Sequence, residues 1–384
     1  AQNPEATVVF GVLNETSETE SRVALTPDIV TRLKRSGVSS LIEAGAGIAA
    51  DYTDEDYEKA GAKVASREGA RRSDALGFVD RPSAETVAKL KAGQWVIGML
   101  GSFTDADYVA ALEKAGLVGI AIEKLPRKLS SAQSMDEMTS QNSVMGYKAA
   151  ITAADAYGSF LPMMTTAAGT IRPAKALVLG AGIAGLQAIG TLKRLGAVVT
   201  AYDVRPASQG EVESLGAKFL DLGLDFSKGQ GEGGYARALS AEEQAQQQAA
   251  VDEKAAGFDI IITTAKVPGR KPPVLLTAAG VKGLKRGAVI VDCAASDLGG
   301  NVEGSAVGEQ VTEGGVKLIG APYLPGVATT ASNLLSRNVA DILVHFVRDG
   351  KLGQDLTEEL DDALVVAGRA AAPAAAADAE KSEK

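Results

Sequence analysis

The chain has few of the side chains that most often carry metal, redox and proton-transfer chemistry. Of its 384 residues one is cysteine, Cys293, and one is histidine, His345. A single thiol excludes an internal disulfide and a multi-thiolate metal site. A single imidazole removes most His-based zinc sites and most familiar catalytic triads, and no metal ligand set is expected. Basic residues are outnumbered, 39 Lys and Arg against 48 Asp and Glu, for a net charge of -9. An acidic chain argues against the phosphate grip that dominates nucleic-acid binding and against polybasic attachment to anionic lipid. The first residues, AQNPEATVVFGV, lack the basic region and apolar core of a signal peptide. One charge-poor stretch, 149–171, reaches membrane-spanning length. It contains Asp155, Pro162, glycine and several hydroxyl residues, and reads better as a helix followed by a buried loop. The expectation is a soluble, cytoplasmic protein with no direct membrane insertion and no nucleic-acid partner.

What is present is a long alternation of short apolar runs and helical segments. Apolar residues make up 46% of the chain, enough for packed cores, and the 43 glycines suggest many tight turns. Strands are predicted at 8–13, 40–43, 76–79, 95–99 and 119–121, with helices at 27–36, from 53, at 84–91 and at 105–115. This β-α pattern argues a parallel sheet covered on both faces. Further on, 141–157 reads as a long helix, and strands are expected at 176–179, 198–202, 218–220, 259–263, 289–292 and 317–319. Residues 333–347 form an amphipathic helix. The Ala/Pro-rich run after Val366 reads as a disordered tail.

Gly180-Ala-Gly182-Ile183-Ala184-Gly185 follows a predicted strand and opens a helix. The next strand ends at Asp203, 18 residues after Gly185. Strand, glycines, helix and acid in this order form a dinucleotide-binding fingerprint. Gly180 permits the tight turn, Gly182 lets backbone approach a pyrophosphate, and Gly185 lets helix pack on strand, while the helix N-terminus receives phosphate charge. A similar run at 45–50 lacks the following helix and acid and reads as a structural turn. Asp203 can accept hydrogen bonds from a ribose 2′-hydroxyl. A 2′-phosphate there would meet a like charge, at a cost of about 4 kcal/mol for a separation of about 4 Å and an effective dielectric constant of about 20. NAD(H) is therefore the expected cofactor. Arg205 could soften the repulsion but is expected to lie along the adenine.

Oxidation of an alcohol or amine by NAD releases a proton as well as a hydride and usually needs a general base. His345, between Val344 and Phe346, reads as structural, and Cys293 as an inert strand-end residue. Hydride exchange between two nicotinamide rings needs alignment and no proton shuttle, and so suits this composition.

Several segments together resemble one known family: Arg22-Val-Ala-Leu-Thr-Pro27, Leu125-Pro-Arg127 through Ala132-Gln-Ser-Met-Asp136, Met163 to Thr170, the glycine fingerprint with Tyr202-Asp-Val-Arg205, and Val291-Asp-Cys through Gly299-Gly-Asn301. The chain resembles the NAD(H)-binding component (domain I, alpha subunit, split-subunit form) of proton-translocating nicotinamide nucleotide transhydrogenase over about residues 7–350. That family is related to alanine dehydrogenase, the main alternative. The dehydrogenase's substrate-handling Lys and His positions fall on Asp80 and Leu100 here, so both groups are missing.

The resemblance implies an α/β fold of two Rossmann-like, doubly wound parallel-sheet domains joined by long helices. The first would take 1–138 plus 327–366, the NAD-binding second 139–326, and the tail 367–384. It implies reversible hydride transfer between NADH and NADP⁺ held by a partner component, with a third, membrane component carrying protons. It further implies a homodimer, attached to the inner membrane only through partner subunits. Around the nicotinamide it places Arg127 and Asp136 on the carboxamide, Gln133 toward the incoming NADP(H), and the hydroxyl of Thr139, where the family often has Ser. Val204, between Asp203 and Arg205, is a further cofactor-binding position. Tyr235 would tip a mobile lid, and Gly234, Ala265 and Lys266 would lie near the adenosine half. The family often has an apolar residue in place of Lys266.

Overall fold

The structure is a computed structural model and describes residues 8–225, 239–267, 270–320 and 327–370. The chain divides into two units, one taking residues up to Met138 and from Ala328 onward, the other Thr139–Val327. Each is built on a seven-stranded sheet.

In the first unit the strands run, edge to edge, Val365–Ala367, Val118–Ala121, Trp95–Gly98, Ala75–Gly77, Val8–Val12, Val38–Glu43 and Lys63–Ala65. All neighbours are parallel except Val365–Ala367, which pairs antiparallel with Val118–Ala121. Leaving out that last strand, the winding starts in the middle, moves to one edge, then crosses back to the other. Phe10, Leu33, Tyr57, Ile97, Leu335 and Phe346 fill one face, and Leu76, Phe78, Val96, Leu100 and Leu112 the other.

The second unit repeats this winding with Lys218–Phe219, Val198–Tyr202, Lys175–Leu179, Ile260–Thr263, Val289–Asp292, Lys317–Gly320 and an antiparallel edge, Gly308–Val311. Its central strand shows why the sequence reads as a continuous apolar run. Ala176 and Val178 pack into one core and Leu177 and Leu179 into the opposite one, so both faces are buried. The α/β architecture expected from the β-α alternation is present in both units.

Among the segments that differ from the sequence reading, three bear on burial and on the ends of the elements. The helix expected from 333 runs Ala328–Phe346. Its first turns carry Ser332 in place of large apolar residues, yet Ser332 and Ser336 face inward, accepting the N–H groups of Val23 and Thr26 at 3.0 Å each. The loop expected to be buried after the long helix is an exposed hairpin, Met164–Thr166 and Gly169–Ile171, with Met163 64% exposed. Residues 367–370, expected to start a free tail, belong to the fold: Ala367 ends an edge strand, and the Arg369 guanidinium donates to the carbonyls of Asp362 (2.9 Å) and Val365 (2.6 Å). Among the described residues no helix is long and apolar enough to cross a membrane.

Candidate functional site

In the second unit the chain winds outward from Lys175–Leu179 and then returns to Ile260–Thr263 on its other side. The carboxyl ends of these two strands mark the reversal of winding, where open α/β sheets leave a crevice for ligands. Gly180–Gly185 leaves the first strand and Thr264-Ala265-Lys266 leaves the second.

The three glycines are required for different reasons. Gly180 has φ +98, a left-handed conformation, and a Cβ there would meet Thr264 Oγ1 at 2.6 Å. A Cβ on Gly185 would lie 1.8 Å from the Gly180 carbonyl oxygen, because the helix Ile183–Arg194 rests directly on the turn. Gly182 is the N-cap and offers no side chain to the first amides of that helix. Its missing Cβ would meet only Arg205 Nη2, at 3.7 Å. An open backbone position at a helix N-terminus of 12 residues fits a phosphate-bearing dinucleotide. Ile183 is 38% exposed beside it, while Ala184 is buried.

Asp203 is only 9% exposed. Its Oδ1 accepts from the Arg205 N–H (2.8 Å) and Nε (2.9 Å). Its Oδ2 accepts from the Ala181 N–H (2.8 Å) and Arg205 Nη2 (2.9 Å). Arg205, read from the sequence as lying along the adenine, is thus folded onto the acid, and this ion pair raises its own pKa. Val204 between them is half-buried.

Sequence reasoning gave no role to the groups that hold the second loop. Thr264 Oγ1 donates to the Gly180 carbonyl at 2.8 Å, tying the two loops together. The fully buried Asn301 accepts from the Ala265 N–H (3.0 Å) and donates to the carbonyls of Ala265 (2.7 Å) and Pro273 (2.8 Å). Asp292, also fully buried, accepts from Thr263 Oγ1, Ala294 N–H and Val302 N–H. Both lie in the segment 291–301, which the sequence marks only by its resemblance. A polar residue at a strand end, followed by glycines and Asn, was the available signal. Lys266 is exposed. Burial and the neighbouring Asp292 push the Cys293 thiol up to about 12, consistent with an inert residue. Gly234 and Tyr235 lie outside the described residues.

In the first unit Arg127 Nε donates to Asp136 Oδ2 at 3.1 Å. Between them a 3-10 turn, Ser130–Met135, is anchored by buried Ala132 and Met135 and by the Asn338 amide on the Ser134 carbonyl at 2.9 Å. These anchors leave Gln133 exposed. Thr139 is half-buried in the first turn of the helix Glu137–Ala156. The residues expected at the site therefore fall into two groups, Arg127, Gln133 and Asp136 in one unit and Thr139 with the glycine fingerprint in the other.

The positions expected to answer to the dehydrogenase's Lys and His also lie in the first unit. Asp80 is exposed, and its N–H and that of Val79 donate to Glu15 at 3.1 and 2.8 Å. Leu100 is fully buried, and its N–H donates to Glu123 at 2.9 Å. Burial pushes the Glu15 carboxyl up to about 8, against the lowering effect of its two backbone donors. Burial likewise pushes Glu137 up to about 8, with Arg22 opposing and Glu15, Glu123 and Asp80 reinforcing. His345 bonds Asp361 at 2.6 Å, and Asp361 also accepts from Arg348 at 2.9 Å.

Comparison with known proteins shows two family matches: residues 11–145 to "Alanine dehydrogenase/PNT, N-terminal domain" and 149–371 to "Alanine dehydrogenase/PNT, C-terminal domain". The chain is 40% identical over 352 residues to the first part of the NAD(P) transhydrogenase alpha subunit of Rickettsia prowazekii, covering 89% of this chain and 91% of that one. It is similar to the crystal structure of transhydrogenase from Sinorhizobium meliloti, with a TM-score of 0.82 at 40% identity, covering 94% of this chain and 98% of that one. A structure of L-alanine dehydrogenase matches with a TM-score of 0.73 at 27% identity, covering 95% of this chain and 97% of that one.

Proposed function

The chain belongs to the alanine dehydrogenase/PNT family, and from that premise we propose that it is the NAD(H)-binding component of a transhydrogenase. It exchanges hydride reversibly, NADH + NADP⁺ ⇌ NAD⁺ + NADPH, with an NADP(H)-binding component, and a separate membrane component couples the exchange to proton movement. Similarity to a protein named as one portion of an alpha subunit supports the existence of partners. A homodimer, and attachment to the inner membrane only through these partners, complete the reading.

The observation that carries this reading is that the two positions expected to match the dehydrogenase's Lys and His hold Asp80 and Leu100. Leu100 offers no base, and Asp80 replaces a cation with an anion. The lone imidazole is engaged by Asp361 instead. Alanine oxidation requires both a group to bind the substrate carboxylate and one to take a proton, and the transhydrogenase reaction requires neither.

NAD(H), when bound, supplies or receives the hydride. Gly180, Gly182 and Gly185, with Ile183 and Ala184, would hold its pyrophosphate at the helix N-terminus. Asp203 would hold the adenosine ribose, with Val204 and Arg205 beside it, and Ala265, Lys266, Gly234 and Tyr235 would flank the adenosine half. Arg127 and Asp136 would fix the carboxamide as a preformed pair, and the Thr139 hydroxyl would assist. Gln133, held outward by its buried neighbours, would meet the partner's nucleotide. The protein's contribution is alignment, since no group of the chain needs to gain or lose a proton.

Mixing the chain with an NADP(H)-binding component and following hydride exchange tests the proposal. Exchange that needs both proteins, and binding of NADH without alanine-dependent turnover by this chain alone, are expected. Robust alanine- or pyruvate-dependent turnover by the isolated chain would favour the dehydrogenase.

A further inference from the structure

We propose that Arg205 sets how strictly this chain separates NAD(H) from NADP(H), by capping Asp203 in competition with the adenosine ribose. The inference rests on the dinucleotide reading of the second unit and adds to it a residue whose effect has opposite signs for the two nucleotides.

A carboxylate has about four lone-pair sites. Four donors reach Asp203: the Ala181 and Arg205 N–H groups and the Arg205 Nε and Nη2. Two of these are backbone and fixed by the turn. The two from the guanidinium belong to a side chain that can swing. A ribose hydroxyl that reaches Asp203 must therefore take a position that the guanidinium holds. The same guanidinium lies over the second glycine of the fingerprint, with Nη2 3.7 Å from where a Gly182 Cβ would be. It thus spans the space between the acid that selects the ribose and the backbone that meets the pyrophosphate.

This placement acts oppositely on the two nucleotides. For NADH, Arg205 is a competitor, because each hydrogen bond the ribose makes to Asp203 replaces one already made. For NADPH, Arg205 is a helper. Its positive charge cancels the carboxylate that would repel a 2′-phosphate, and once displaced its planar fork suits a phosphate. The pair presents a near-neutral surface, so discrimination resting on Asp203 is weaker than the isolated charge implies.

The test is titration of the wild-type chain, Arg205→Ala, Arg205→Gln and Asp203→Asn with NADH and with NADPH at one ionic strength, following nucleotide fluorescence. In both Arg205 variants NADH affinity is expected to hold or tighten while NADPH affinity falls. The ratio of the two Kd values should widen by about tenfold or more, the scale of a partly buried charge pair. Asp203→Asn should narrow the ratio. Arg205→Gln retains a hydrogen-bond donor without charge, and guards against a loss of folding in Arg205→Ala. Equal weakening of both nucleotides in the Arg205 variants, or an unchanged ratio, would overturn the proposal. If the wild-type chain bound neither nucleotide, the dinucleotide reading itself would be refuted, and this inference with it.

Discussion

Glu15 and Glu137 should make the first unit less stable as pH rises through neutrality. Both carboxyls are pushed by burial from 4.5 to about 8. Between these values the folded chain retains protons that the unfolded chain has released, so folding takes up protons and stability falls with rising pH. The contribution is complete below the unfolded pKa and is lost as pH climbs through about 8. Each group contributes a fall of about 1 kcal/mol per pH unit. The two interact, so they titrate as a coupled pair and the combined slope need not be twice that. Acids held below their usual range, such as Asp28 with its bonds from Thr26 and Asn333, act in the opposite direction and only at lower pH. Trp95 is the only tryptophan and lies in the first unit, 6% exposed with its ring centroid 5.3 Å from that of Phe346. Its fluorescence during guanidinium unfolding therefore reports the unit that contains both carboxyls. Unfolding curves between pH 5.5 and 8.5 should give a free energy that declines steadily. Glu137→Gln, which mimics the protonated acid, should reduce that slope and exceed the wild type in stability at the alkaline end. A free energy that is flat or rising across this range, or a slope untouched by Glu137→Gln, would refute the reasoning.

Other substitutions test the site itself. Gly185→Ala places a methyl 1.8 Å from the Gly180 carbonyl oxygen, so a loss of roughly 3 kcal/mol is expected, read by denaturation, together with loss of NADH binding. Asn301→Ala removes the three bonds that hold Ala265 and Pro273. It should destabilise by roughly 1–3 kcal/mol and weaken NADH in calorimetric titration; unchanged affinity would remove that loop from the site. Gln133→Asn shortens an exposed side chain and should slow hydride transfer to the partner's nucleotide more than it weakens NADH binding. Equal losses in both measurements would count against alignment.

The parts of the fold buried on both faces were legible in the sequence. Residues 176–179 and Val289–Asp292 are buried throughout and fall where the apolar runs place them, because a strand covered by helices on both sides has no polar face to interrupt it. Apart from Lys218–Phe219, expected at 218–220, the edges were not legible. Lys63–Ala65 is short, Gly308–Val311 is exposed throughout, and the hairpin at 164–171 carries hydroxyl and small residues that suggest a loop. Edge strands are held by backbone pairing, which leaves little trace in side-chain pattern. At the site, the glycines and Asp203 announced themselves by spacing. The bonds among them did not. That Arg205 lies on Asp203, and that Asn301 reaches back to Ala265, are short- and long-range pairings which residue type alone does not specify. Arg127, Gln133 and Asp136 were visible only through the family resemblance. In physical terms they are one ion pair and one exposed amide on a short turn.

The central claim is that hydride passes between two nicotinamide rings without acid–base help from this chain. Mixing it with an NADP(H)-binding component, NADP⁺, pyruvate, ammonia and NADH deuterated at the transferred position of the ring measures this directly. Recovery of the deuterium in NADPH, with none lost to water, is the expected result. Deuterium that washes out into solvent, or that appears instead in alanine formed from pyruvate and ammonia, would contradict it.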